Sequence, residues 1–223
     1  MLTLYSCLVF FHILLFVFWL GGDLGVAILG DNFRKKDTYS VQERLTILKL
    51  LVLNDLGPRY AWALMIASTI SLVTVGGYWA VPAWGVILAW VISFFWLWLV
   101  LSAHKAGQTE KGTKLRKIEV ILKWVLAAFY LGLGSLSLTT NAPLEPNWLA
   151  SKALLFGLIF VAAILIDVMF KPVGPLLMAL IEKGSSDETE VPLLRTMNKS
   201  RFWVRMTYLL LVITAFIGTT KFF

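Results

Sequence analysis

A chain of 223 residues with 59% hydrophobic side chains, a mean hydropathy of +0.80 and only 15% charged residues is not an ordinary soluble domain. Its net charge of +7, set against that hydropathy, is an orientation signal and an attraction to anionic lipid, not a nucleic-acid footprint. The one cysteine, Cys7, excludes an internal disulfide and any cysteine-built metal cage.

Six stretches are long and apolar enough to predict membrane spans, at roughly 4–29, 59–78, 82–103, 119–140, 148–170 and 203–221. The expected fold is therefore all-α: one integral membrane domain over residues 1–223, a polytopic bundle of six transmembrane helices with short interfacial helices on the cytoplasmic side. The N-terminal MLTLYS carries no positive charge and its apolar run continues past signal-peptide length, so a cleaved signal is not expected.

The first span carries two ionisable residues, His12 and Asp23. Eleven residues apart, they return to nearly one helical face, roughly 16 Å apart along the axis. Phe16 and Trp19 lie on that stripe between them. Gly21, Gly22 and Gly25 add a small-residue surface that admits a second helix or a flat ligand. Ionisable groups at membrane depth are costly and usually face the protein interior, which marks His12 and Asp23 as functional candidates. Polar glue between helices is the other reading of both.

Beyond the first span, Ser40 and Glu43 have capping-box spacing, and Val41, Leu45, Leu48 and Val52 recur with helical period. They predict a helix over 40–53 lying on the inner membrane surface. Pro58 suits the first turn of the second span. Arg59 at its mouth reads as a snorkelling anchor or as an ion-pair partner of Asp23 or Asp55. Trp84, Trp90, Phe94, Phe95, Trp96 and Trp98 crowd the third span, as lipid-facing aromatics or as walls for a flat cofactor. Gly132, Gly134, Ser135 and Ser137 give the fourth span a surface for tight packing. The acidic run 184–190 reads as a flexible linker.

Eighteen of the twenty Lys and Arg fall after the first, third and fifth spans; only Lys152 and Lys221 lie at the other side. The positive-inside rule then puts both termini outside and the basic segments in the cytoplasm. His12 and Lys152 belong to the outer half, Asp23 and Asp167 to the inner half, so pairing the first and fifth spans is expected to create two polar layers. Lys152 reads either as a counter-ion for a carboxylate or propionate near His12 or as a snorkelling lysine.

Several blocks resemble a known family. The first-span histidine, Trp19-Leu20-Gly21-Gly22, the basic loop, Gln42-Glu43-Arg44-Leu45 and the Pro58 helix start are similar to the opening half of the HemJ-type protoporphyrinogen oxidases, which form a loose set with the copper-resistance D (CopD) membrane proteins. Asn147-Trp148-Leu149-Ala150-Ser151-Lys152-Ala153-Leu154-Leu155 resembles that family's Trp-Leu-x-x-Lys-Leu-Leu helix start, and Arg201-Phe202-Trp203 with Lys221-Phe222-Phe223 resembles its ending. The resemblance implies an oxidoreductase of a bacterial cytoplasmic membrane that binds haem b or a porphyrin. In it His12 would be the axial, metal-binding ligand and Lys152 the functionally required lysine. The first-span pattern adds Asp23 to Lys152 as a catalytic candidate, and Phe16, Trp19 and Gly22 with Lys152 as neighbours of the cofactor. His104, at the inner end of the third span, is too far along the bilayer normal to share an iron with His12.

Two other classes fit the residues. The chain could be an accessory subunit, in a homo-oligomer or a larger respiratory or photosynthetic complex, whose glycine and aromatic faces are contacts. It could instead be a small proton- or ion-coupled transporter with Asp23, Asp167 and Arg59 as an inner-side site. A soluble-type hydrolase is disfavoured, because no Ser-His-Asp spacing or zinc motif is present.

Overall fold

Local capping and helix-breaking residues decide where each helix begins and ends. The computed structural model describes residues 2–222, which form eight α-helices and no strand. Thr3 and Ser6 form a reciprocal capping box that starts α1 at Leu4–Phe33. The expected Ser40–Glu43 box is present and starts α2, Val41–Asn54. Hydrogen bonds from the Ser40 hydroxyl and amide hold the Glu43 carboxyl below its usual pKa. Pro58 lies in the first turn of α3, Leu56–Val75, where its missing N–H is harmless. Gly107, at φ +57°, ends α4, Ala83–Ala106, in a conformation that favours glycine. Thr109 accepts from Gly112 N at 3.2 Å and opens α5, Glu110–Thr140. Pro146 precedes α6, Asn147–Phe170, and Pro172 separates it from the amphipathic α7, Val173–Lys183. The last helix, α8, spans Asp187–Thr220.

Five stretches are long and apolar enough to cross a bilayer: Leu4–Phe33, Ala83–Ala106, Glu110–Thr140, Asn147–Lys183 and Asp187–Thr220. Their outward faces are apolar. Phe10, Val17, Phe18 and Ile28 on α1 are exposed, as are Trp84, Ile87, Val91, Phe94 and Trp98 on α4. A soluble monomer does not carry apolar surface on that scale, whereas acyl chains cover it without penalty. The chain has the build of an integral membrane protein.

Packing neighbours run α1–α3–α4–α5–α6–α8, and α8 returns to α1, so these six helices form a ring. Its centre is aromatic. Trp19, Trp62, Trp96, Tyr130, Phe156 and Phe160 come from five of the helices and are all buried in one cluster. Trp62 stacks on Trp19 at 5.4 Å between centroids and meets Trp96 and Phe160 at 4.7 Å each.

Two expectations are corrected. The first and fifth spans, α1 and α6, are not packing partners of the expected kind: α1 lies on α3, while α6 lies on α5 and α8. Close approach decides this. Gly22 sits against the Pro58 ring, Gly134 against the Leu154 backbone and Gly157 against Leu131. The two expected partners meet through an edge contact of Trp19 with Phe156, centroids 6.1 Å apart. The acidic run 184–190 is not a linker either. Only a short turn precedes α8, and Thr189 and Glu190 are buried in its first turns. Glu190 there receives both guanidinium nitrogens of Arg44, a pair 1% exposed on each side that ties α2 to α8.

Candidate functional site

The basic residues at the ends of α1, α3, α4, α5 and α6 gather at one end of the ring, and the charges just inside that end form a chain. Asp55, at the α2–α3 junction, accepts from Arg59 Nε at 2.6 Å. Arg59 lies 3.8 Å from Glu119, and Glu119 lies 3.3 Å from Lys123 one turn along α5. Lys123 reaches across to Asp167 on α6 at 2.8 Å. Trp96 donates its indole N–H to Glu119 at 3.2 Å, and the Lys123 ammonium lies 5.6 Å above the Trp62 ring. Glu119 and Lys123 are only 3% and 4% exposed, so each charge depends on its partners.

These groups border a cleft of about 120 Å³ lined by Trp19, Asp23, Asp55, Arg59, Trp62, Lys123 and Asp167, among others. Four carboxylates (Asp23, Asp55, Glu119, Asp167) share two cations. Among the described residues, Asp23 is the member of this set with no cation within ion-pairing distance. Its backbone carbonyl accepts from Tyr208 of α8, and its side chain has the Trp19 indole as a hydrogen-bonding neighbour. A half-buried carboxylate without an ion-pair partner favours a proton, a cation or water beside it.

A second polar layer lies toward the opposite end. His12 turns inward and shares a 3.1 Å hydrogen bond through Nδ1 with Ser68, a fully buried hydroxyl on α3. Lys152 is half-buried, with its ammonium against Gly218 of α8. Chain register places the Trp19–Trp62 stack between this layer and the cleft.

The sequence-derived candidates thus divide. Asp23, Asp167 and Arg59 come together on one cleft, as the inner-side grouping expected. His12, Phe16, Trp19, Gly22 and Lys152 do not frame a flat slot. Phe16 packs on the aromatic core, Trp19 is covered by Trp62 and Phe156, Gly22 lies on Pro58 and Lys152 on Gly218. Beside Trp19 and Gly22 the space a macrocycle would need is filled by Trp62, Phe156 and Pro58, so as arranged here these two residues do not flank a haem b or porphyrin. Among the described residues, no group of three or more His, Cys, Asp or Glu is placed to hold a metal ion. His104 is exposed. Glu119 and Trp62 are the participants that sequence reasoning did not single out, and Lys123 was counted only for its charge. The signal was there: Glu119 and Lys123 are an i,i+4 opposite-charge pair flanking the apolar Val120-Ile121-Leu122.

Fold and site together define a class: a polytopic helical membrane protein with an ionised, partly hydratable cluster inside its ring. No protein-family model, no curated protein and no solved structure matches the chain, so nothing in those comparisons bears on the resemblance to HemJ and CopD proteins.

Proposed function

We propose that the chain is a small proton- or ion-coupled transporter of a cytoplasmic membrane, working through the cleft that holds Asp23, Arg59 and Asp167. The observation that carries this reading is the Asp23 carboxylate, which has no ion-pair partner in a cleft whose other charged groups are all paired. In this reading α3 is a sixth span, since its twenty residues reach about 30 Å, the thickness of the hydrocarbon layer. The basic end faces the cytoplasm, as the distribution of Lys and Arg favours, and both termini lie outside. The cleft then opens inward, with the Trp19–Trp62 stack closing it from the His12–Ser68 layer.

Reconstitution into sealed liposomes tests the proposal. An imposed ion gradient drives uptake by the parent protein, and Asp23→Asn abolishes it while the protein still elutes as a folded species. Uptake unchanged in Asp23→Asn would falsify the transport reading. An optical spectrum of the same preparation separates the rival: a Soret band lost in His12→Ala would favour a haem- or porphyrin-linked redox protein instead. Stoichiometric co-purification of other subunits, with no flux, would favour the accessory role.

A further inference from the structure

We propose that the species taken up in the cleft is a proton, delivered to Asp23 through water that also satisfies the Trp62 indole N–H, and not a metal cation; this rests on the transport reading above. Trp62 lines the same cleft as Asp23, is 6% exposed, and its Nε1 has no hydrogen-bond partner among protein atoms. The ring cannot turn to find one, because Trp19, Trp96 and Phe160 hold it on separate sides. A buried N–H left unpaired costs on the order of 1–3 kcal/mol, so water in the adjoining cleft is its natural acceptor. The cleft, at about 120 Å³, has room for several waters, each of which needs roughly 10–15 Å³ of such space. Polar groups of Asp23, Asp55 and Asp167 are present to hold them.

The arrangement of charges disfavours a metal ion. Calcium takes roughly 6–8 oxygen ligands, and magnesium demands a near-ideal octahedron. Here the carboxylates are held apart by cations: Arg59 engages Asp55 and Glu119, and Lys123 engages Glu119 and Asp167. Among the described residues, no three carboxylates, histidines or cysteines are placed to hold a metal ion together. One free carboxylate beside water is poor coordination for a metal but sufficient for a proton. In the transfer, an O–H bond of a hydronium in the cleft breaks, an O–H bond forms on the Asp23 carboxylate, and the water stays behind. Release reverses the step. The transmembrane proton gradient sets its direction, and no electrons move.

The test uses the full chain in vesicles loaded with a pH-sensitive dye or a sodium-, potassium- or calcium-sensitive dye. Under an imposed gradient the parent acidifies the lumen regardless of which metal cation is present, and does so more slowly in heavy water. Trp62→Phe keeps the ring and removes the N–H that holds the water; its proton flux falls by up to about tenfold, the scale of one lost hydrogen bond. Asp23-dependent metal-cation uptake without lumen acidification overturns the proton assignment and leaves transport standing. Absence of Asp23-dependent flux for every ion overturns the transport reading itself. Parent-like proton flux in Trp62→Phe, or, should that variant not fold, a parent rate equal in light and heavy water, overturns the role given to the water.

Discussion

Lys123 neutralises two carboxylates at once, at 2.8 Å from Asp167 and 3.3 Å from Glu119, while its ammonium covers the Trp62 ring. Removing that single charge leaves Asp55, Glu119 and Asp167 with one remaining cation, Arg59. Breaking a buried pair from one side typically costs roughly 3–5 kcal/mol, because the orphaned charge stays desolvated. Lys123→Met is therefore expected to lower the thermal unfolding midpoint in detergent sharply, and adding Glu119→Gln is expected to recover part of the loss. A Lys123→Met protein that melts with its parent would show that the network contributes nothing. Part of this cleft was legible residue by residue: Asp23 and Asp167 are charges inside apolar spans, and Arg59 stands at the start of one. Glu119 and Lys123 were not, because a positive charge near a span end serves topology equally well. Sequence distance from a loop does not reveal whether a lysine snorkels out or folds in.

Helix contacts here are set by what a glycine leaves room for. A Cβ on Gly134 would collide with the backbone of Leu154, and backbone on a packed helix has nowhere to go. Two positions earlier on the same helix, Gly132 has nothing within 4 Å. Gly134→Ala is thus expected to loosen the α5–α6 seam and lower the unfolding midpoint. Gly132→Ala should hold or raise it, since alanine gains up to about 1 kcal/mol over glycine inside a helix. Equal effects would mean that the seam does not depend on this approach. The small-residue surface of the fourth span was visible in the sequence, but which of its glycines faces the neighbour was not. Capping shows the same division. Ser40–Glu43 gave α2 away because a recognisable box precedes a periodic apolar run. The start of α8 hid behind Gly184-Ser185-Ser186, whose composition reads as loop. What orders it is Glu190 meeting Arg44, a residue far away in the chain.

Across the whole molecule the ring of six helices depends on α3, the helix least like a membrane span in composition. Arg59 and several Ser and Thr positions lower its apolar character, yet Arg59 and three of these hydroxyls are engaged inside the protein. Arg59 pairs with Asp55, Ser68 with His12, Ser71 accepts from the Trp90 indole, and Thr74 donates to the Ile70 carbonyl. A polar side chain satisfied by its neighbours need not keep a helix out of the bilayer. If α3 crosses, the turns at its two ends lie on opposite sides of the membrane. Cys7 is the chain's one cysteine, so a Cys7→Ser background permits single-site labelling. Asp37→Cys precedes α2 and Ala80→Cys follows α3; both positions are exposed. A membrane-impermeant maleimide applied to intact cells should label Ala80→Cys directly and Asp37→Cys only after permeabilisation, because the positive-inside rule favours the cytoplasmic side for the basic segment around Asp37. Labelling of both from outside, or of neither, would leave α3 on one side of the bilayer. The cleft bordered by Arg59 and Trp62 would then have no lipid-excluded interior to serve.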